Sequence, residues 1–426
     1  MNTGHAVRRG TRQTITTRFV VMVFAMAITM VLTWSPAMRS ITVQAAEADV
    51  FNDLTYARIR ADTRLDALKS KSAILIDAET GMVLFEKEAH VRRPIASVTK
   101  IMTMLLAMEA LDGGKVRKDT TVSVSAHAAS MIGSGAFLEK GQQHTFWDLL
   151  KAVAVASAND ASVALAEAIA GTETEFVRLM NEKADALGMK DTHFKDCTGL
   201  TDTDHYSTAF DITRMAGELI EKHPDIRTLT TIWHDTFNQG RYDLDNTNKL
   251  IRYYTDENRN IVCDGLKTGF TDGAGQCMCM TVTSPSGRLI SVVLGGPDIN
   301  TRFGESARLM DHGLQDFEKG TFGTPQAIVA AIPVERGVSR RVDAVQTASV
   351  TLTYPRGSAD KISFRIEPAE SLEAPVTAGQ PAGSLVYMVD GRDALKVELV
   401  AAEDVRKASW IRLFFRKILS WIGIGR

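Results

Sequence analysis

Apolar positions recur along this chain with two periods, and the change from one to the other divides the sequence. Residues 73–78 and 82–86 are short β-prone runs around Glu79-Thr80-Gly81, which predicts a hairpin. From Ser97 the apolar residues Val98, Ile101, Met102, Leu105, Leu106, Met108 and Leu111 follow a helical period that stops at Gly113-Gly114. The apolar face is broad, so this helix is expected to be mostly buried. Further helices are predicted over 146–156, 161–169, 174–187, around 211–221, and over 302–317. The stretches 115–145, 190–213 and 223–260 are polar, irregular or glycine-bearing and read as loops. Strands are expected over 263–268, 276–283 and 289–294, the last two turned by Pro285-Ser286-Gly287. Strands at both ends of the segment with helices between them imply an α/β layer fold, the terminal strands sharing one mostly antiparallel sheet.

Beyond Thr321-Phe322-Gly323-Thr324-Pro325 the helical period vanishes. Residues 349–354 and 361–366 alternate, and 383–400 reads as two strands about Asp390-Gly391, so a small β domain is expected over 325–405. The segment 408–426 combines Trp410, Ile411, Leu413, Phe414, Phe415, Ile418, Leu419, Trp421 and Ile422 with Arg412, Arg416 and Lys417. Its charges disfavour a spanning helix, and its tryptophans at both ends favour an amphipathic helix lying in a membrane surface. At the other end, Arg8, Arg9, Arg12 and Arg18 precede an apolar run from Phe19 to Leu32, followed by small residues at Val43-Gln44-Ala45. Residues 1–45 therefore read as a signal peptide, and the remainder as exported.

Export raises the question of disulfides. Cys277 and Cys279 lie two apart on one predicted strand, too far for an easy bridge, and Cys197 and Cys263 are isolated, so all four read as small buried hydrophobes. The nine histidines form no metal-ligand spacing, so neither a metal nor another cofactor is implied. A net charge of -2 offers no basic face for nucleic acid.

Candidate chemistry begins at Ser97-x-x-Lys100, where hydroxyl and amine share one face at a helix start. Ser157-Ala158-Asn159 follows between two predicted helices, and Lys267-Thr268-Gly269 follows on a predicted strand. In this order, in an exported chain, the three motifs are specific. The sequence resembles the low-molecular-weight penicillin-binding proteins, the serine-type D-alanyl-D-alanine carboxypeptidases, over roughly residues 68 to 405. The runs Asp264 to Thr271, Ala274-Gly275, His205 to Asp211, and Leu289 to Gly296 followed by Arg302 add to the likeness, whereas Cys197 stands where a proline would be usual. The resemblance implies a β-lactamase/transpeptidase-like catalytic domain over 46–320, with helices on both faces of a mostly antiparallel sheet. It also implies a small β-sandwich-like domain over 325–405 and an anchoring tail over 408–426 at the outer face of the cytoplasmic membrane.

Under this resemblance Ser97 is the nucleophile and attacks the peptide bond of a stem peptide ending in D-Ala-D-Ala; β-lactams acylate it in the same way. Lys100 is the general base, its charge suppressed by burial and by a second cation, for which Lys267 is the candidate. Ser157 relays a proton to the leaving amine, and Asn159 holds Lys100 and the substrate amide. Lys267, Thr268 and Gly269 offer a strand edge to an extended peptide, with Gly269 allowing close approach. The backbone N–H groups of Ser97 and Phe270 form the oxyanion hole, while Thr268 and Arg302 bind the terminal carboxylate. Three other readings stay open: a β-lactamase, a DD-endopeptidase or transpeptidase on the same scaffold, and a non-catalytic wall-binding or β-lactam-sensing module. Against the first, no Glu-x-x-x-Asn loop stands between Asn159 and Lys267.

Overall fold

The computed structural model describes Met1, residues 65–200 and residues 203–421, with side chains through Arg416 in the last helix. The signal-peptide assignment, the polar residues 46–64 and the last five residues lie outside the described residues.

A five-stranded antiparallel sheet carries the larger unit. Its strands are β1 (Ser72–Asp77), β2 (Val83–Lys87), β3 (Val262–Thr271), β4 (Gly275–Ser284) and β5 (Gly287–Gly296), in the order β2-β1-β5-β4-β3. The hairpin and the three late strands predicted from alternation thus form one sheet, with β3 on its edge. Successive side chains point to opposite faces. Ile74, Ile76, Cys277, Cys279, Ile290 and Val292 face a helical core. The alternating residues Leu75 and Leu289 turn the other way, where they would meet a Cβ placed on Gly313 of the closing helix.

Five helices build the core side: α1 (Lys100–Asp112), α2 (Phe146–Ala156), α3 (Asn159–Ala170), α4 (Glu173–Ala186) and α5 (Ala209–Lys222). Helix α1 is central, with residues from Lys100 through Met108 all buried, as an apolar period on a broad face demands. It begins later than the sequence period suggests: Ala96–Thr99 is a single 3-10 turn, and the α-helix proper starts at Lys100. Thr145, Thr172 and Thr208 cap α2, α4 and α5 by accepting from backbone N–H groups three residues on. Helix α3 starts at Asn159 rather than Ala161, because Ser157 takes a left-handed conformation (φ 62°) and breaks the chain between α2 and α3. On the opposite face lies α6 (Ile299–Asp316), capped by Asp298, so Arg302 falls in its first turn. The loop 115–145 contains a two-stranded ribbon, Thr121–Ser123 with Gln143–Thr145.

Helix α6 ends directly in β6 (Phe317–Phe322), which pairs with β9 (Val350–Pro355). The second unit therefore begins at Phe317, several residues before the break read at 321–325. Strands β7 (Ile328–Glu335), β8 (Arg341–Gln346), β10 (Ile362–Pro368), β11 (Leu372–Glu373), β12 (Pro381–Val389) and β13 (Arg392–Ala401) form a second sheet, in the order β10-β12-β13-β8-β7-β11. It has its own core, including Ile332, Leu352, Tyr354, Leu385 and Leu399. Helix α7 (Trp410–Trp421) follows.

The two cores are joined through a polar knot. Asp77, at the end of β1, is buried and accepts from the N–H groups of Glu79 and Thr80 and from Thr353 Oγ1 of β9 at 3.0 Å. Lys319 Nζ of β6 lies 2.9 Å from its Oδ2. Removing one partner of a buried ion pair leaves the other charge desolvated and unpaired. Lys319→Ala should therefore destabilise the protein by about 2 kcal/mol, read as a lower midpoint in thermal unfolding; an unchanged midpoint would show that the knot contributes nothing to stability.

Candidate active site

The site forms where the 3-10 turn, the α2–α3 junction, the loop 194–199 and edge strand β3 converge. Ser97 is partly exposed on the turn, one residue after Ala96, which has a positive φ of 47°. A left-handed alanine is unfavourable by roughly 1–2 kcal/mol and persists only where tertiary packing imposes it. Gly199 packs against this turn: a Cβ on it would lie 1.9 Å from the Ala96 carbonyl oxygen and 2.8 Å from Thr99 Oγ1. Only glycine lets the loop cross behind the nucleophile turn.

Lys100 is wholly buried. Its Nζ is 3.0 Å from Ser97 Oγ, 2.7 Å from Asn159 Oδ1 and 2.8 Å from the Thr198 carbonyl oxygen. These partners come from three separate segments. Each segment is fixed from behind by a side chain that the motifs do not contain. Asn159 donates through Nδ2 to the Ile132 carbonyl. Its neighbour Asp160, buried, accepts from the N–H groups of Ala136 and Leu138, which pins the loop 132–138 over the site. Asp196 accepts from the N–H and Oγ1 of Thr198 and from the N–H of Gly199, which aims the Thr198 carbonyl at Lys100. Thr99 Oγ1 is 2.8 Å from Nε2 of buried His205. Ser157 is buried two residues before Asn159.

On the far wall, a Cβ on Gly269 would stand 2.9 Å from Ser97 N and 3.0 Å from the Ile95 carbonyl oxygen. This steric limit fits Gly269 for close approach and brings the end of β3 against the nucleophile turn. Lys267 and Gly269 have Cys279 and Cys277 as ladder partners and share their face, toward the helical core. Lys267 is buried and donates to the Thr268 carbonyl at 2.8 Å, while Thr268 Oγ1 donates to Thr247 Oγ1 at 2.7 Å. Arg302 is buried with its guanidinium carbon 4.5 Å over the Phe303 ring, and Nη1 donates to Gln276 Oε1 at 2.6 Å. Phe270 is exposed beside the site.

Burial pushes the Lys100 amine down to about 8, against opposing pulls from Cys197, Asp196 and Asp160. The sequence reading assigns part of this effect to Lys267. Lys267 is itself held well below the usual lysine range, by burial first, then by Lys100, then by Arg302. Burial is the first cause at both lysines, and the repulsion between the two cations is one interaction that they share.

The structure brings Ser97, Lys100 and Asn159 into one hydrogen-bonded group and sets Lys267 and Gly269 beside it. Thr268 and Arg302 are held by Thr247 and Gln276, neither of which the sequence reading singled out. Asp160, Asp196 and Gly199 were also missed; the only local signal was the position of Asp160, directly after a site asparagine in the first turn of a helix. The cysteines Cys197, Cys263, Cys277 and Cys279 are free and buried.

With the geometry in view, comparison with known proteins becomes specific. A family model described as D-alanyl-D-alanine carboxypeptidase matches residues 59–298, and one for the C-terminal domain of penicillin-binding protein 5 matches residues 317–407. D-alanyl-D-alanine carboxypeptidase DacF of Bacillus subtilis is 38% identical over 83% of this chain and 90% of its own length. DacA of Escherichia coli is 33% identical over 94% of this chain and 97% of its own. Penicillin-binding protein 5 from Haemophilus influenzae superposes with a TM-score of 0.71 at 31% identity, covering 80% of this chain and 98% of that one. Penicillin-binding protein D2 from Listeria monocytogenes, in its ampicillin-bound form, superposes with a TM-score of 0.53 at 30% identity, over 59% of this chain and 100% of that one. A hydrogen-bonded serine–lysine–asparagine group beside this sheet, in a chain matched over nearly the whole length of its relatives, places the chain in the family of serine-type D-alanyl-D-alanine carboxypeptidases.

Proposed function

We propose that this carboxypeptidase works through Ser97, with the stem peptide of peptidoglycan as substrate and its terminal D-alanine as leaving group. The observation that carries the assignment is the contact between Ser97 Oγ and the Lys100 amine at 3.0 Å, with that amine buried and lowered to about 8. A fraction of Lys100 is then neutral at neutral pH and can take the hydroxyl proton as Oγ attacks the penultimate D-alanine carbonyl. The N–H groups of Ser97 and Phe270 receive the developing oxyanion, supported by the close packing of Gly269 on Ser97. Asn159 holds the base, and Ser157 passes a proton to the departing amine. Water then cleaves the acyl-enzyme.

The substrate backbone adds to the free edge of β3, the outermost strand of its sheet. Thr268 and Arg302 receive the terminal carboxylate, which selects a chain end over an internal peptide bond. The same geometry accepts a β-lactam as a covalent inhibitor at Ser97, in keeping with the ampicillin-bound form of the Listeria relative.

The tail is read as a membrane-surface anchor. Among the described residues no helix is long and apolar enough to cross a membrane. Helix α7 presents Trp410, Ile411, Phe414 and Phe415 outward, each at least half exposed, at a spacing that keeps them on one stripe. Arg416 turns back and donates to the carbonyls of Gly337 and Val338 at 2.7 Å, tying the helix to the β unit. An outward aromatic stripe on a helix so fastened suits the lipid headgroup boundary. With the leader at residues 1–45 acting as an export signal, the protein would work at the outer face of the cytoplasmic membrane.

The purified protein should release free D-alanine from a pentapeptide ending in D-Ala-D-Ala and turn over a β-lactam only slowly; absence of release would overturn the reading, and fast β-lactam hydrolysis would favour a β-lactamase. Ser97→Ala should abolish both release and labelling by a fluorescent penicillin, and retained release would remove Ser97 as nucleophile. Because the neutral amine is the active form, kcat/KM should rise about tenfold from pH 6 to 7 and level off above about 8. Lys100→Arg, which keeps the charge but cannot deprotonate, should lose about 10²–10⁴-fold in acylation. A flat pH profile with an active arginine variant would exclude Lys100 as base. Truncation after Ser409 should free the exported protein from membrane vesicles with D-alanine release retained, and vesicle binding by the truncated form would contradict the anchor.

A further inference from the structure

We propose that Gln276 is a positioning residue for the carboxylate end of the substrate, acting through Arg302 by orienting its guanidinium without neutralising it. The inference rests on the reading above in which Arg302 receives the terminal carboxylate. Gln276 is the second residue of β4, with Phe270 as its ladder partner on one side and Gly296 on the other. Its side chain alternates with that of Cys277 and so points to the α6 face, where Arg302 meets it from the first turn of that helix. Both residues are buried, and the contact is a single 2.6 Å hydrogen bond from Nη1 to the amide Oε1. The guanidinium carbon lies 4.5 Å over the Phe303 ring, while the amide holds Nη1.

The chemical type of the acceptor matters. An arginine side chain has large rotamer freedom, and ordering it before the ligand arrives removes that cost from binding. A glutamate of the same shape would order it as well, but would set a full negative charge within hydrogen-bond distance of the guanidinium. The field of Arg302 reaches past β4: it adds to the lowering of Lys267 and opposes the rise that burial gives the Cys277 thiol. An added carboxylate at position 276 would cancel that field where the substrate's own carboxylate must bind. A neutral amide gives order and leaves the field.

The test compares a peptide ending in D-Ala-D-Ala with its C-terminal amide, reading release of D-alanine and of D-alaninamide. Gln276→Glu, which conserves shape, should lower kcat/KM for the free acid about tenfold, mainly through KM, and change the amide less than about threefold. Gln276→Met, which removes the acceptor without adding charge, should raise KM for the free acid by about threefold at unchanged kcat. Arg302→Ala should abolish the preference for the free acid. Preference retained in both Gln276 variants but lost in Arg302→Ala would overturn the role of Gln276 and leave the carboxylate reading standing. Preference retained in Arg302→Ala would overturn that reading and the proposal with it. An equal fall for both substrates, carried by kcat, would make Gln276 merely structural and also overturn the proposal.

Discussion

The burial of one amine organises the catalytic unit. Lys100 lies in the first turn of a helix that is buried along nearly its whole length, so its Nζ has no route to bulk water. A buried amine must be hydrogen-bonded or its desolvation goes uncompensated. Its three acceptors are Ser97 Oγ, Asn159 Oδ1 and the Thr198 carbonyl, which are 3, 59 and 98 residues away along the chain. Satisfying the amine therefore requires the nucleophile turn, the α2–α3 junction and the loop 194–199 to meet at one point. The same requirement that closes the fold here also places a weakened base against a serine hydroxyl. Stability and chemistry are two consequences of one constraint.

The second consequence concerns charge. Lys267 carries the repulsion of Lys100 and Arg302 as well as its own burial, and each lowers it. A cluster of basic groups kept from water favours loss of a proton from one of them, or arrival of an anion. A substrate ending in a carboxylate supplies that anion, so the binding step and the protonation state of the lysines are coupled, and their titration belongs to the group rather than to either residue. An internal peptide bond brings no such charge. Under the proposed reading, selectivity for a chain end follows from the charge of these residues.

How far the sequence reveals this depends on the range of each contact. Helices α2 and α4 and the three late strands are legible because their apolar periods are local and their caps are threonines at the expected spacing. The Ser97–Lys100 pair is legible because i and i+3 share a helical face. The 3-10 turn is not: alanine has no preference for a positive φ, and the close approach of Gly199 to Ala96 joins residues more than a hundred apart in the chain. Asp160, Asp196, Thr247 and Gln276 act by holding other side chains or loops from a distance, and no local pattern marks them. Strands β7 and β8 escape because Ala330, Ala331 and Pro333 blur the alternation in the first, and Ala344-Val345 interrupts it in the second. The unit boundary slipped for a related reason. Helix α6 passes into β6 at Phe317 with no intervening loop, so no turn signal precedes Thr321.

The junction between the units makes a different kind of contact from either core. Valine, leucine and alanine, with two tyrosines, fill the β unit, and a separate apolar cluster fills the α/β unit, but where the two meet around Asp77 the link is an ion pair with hydroxyl and backbone donors. A buried ion pair adds little net stability over an apolar contact of the same size, because desolvation offsets its attraction. What it has that an apolar contact lacks is direction. Asp77 satisfies donors from its own turn and from β9 at once, and Lys319 reaches both Asp77 and Glu79, so a small rotation of one unit on the other would break several bonds together. Arg416 repeats the device at the far end, where two carbonyls of one turn hold the middle of the aromatic helix. Directional polar contacts at both joints, between units that each have an apolar core, define a chain built to hold its catalytic sheet in one orientation relative to its tail.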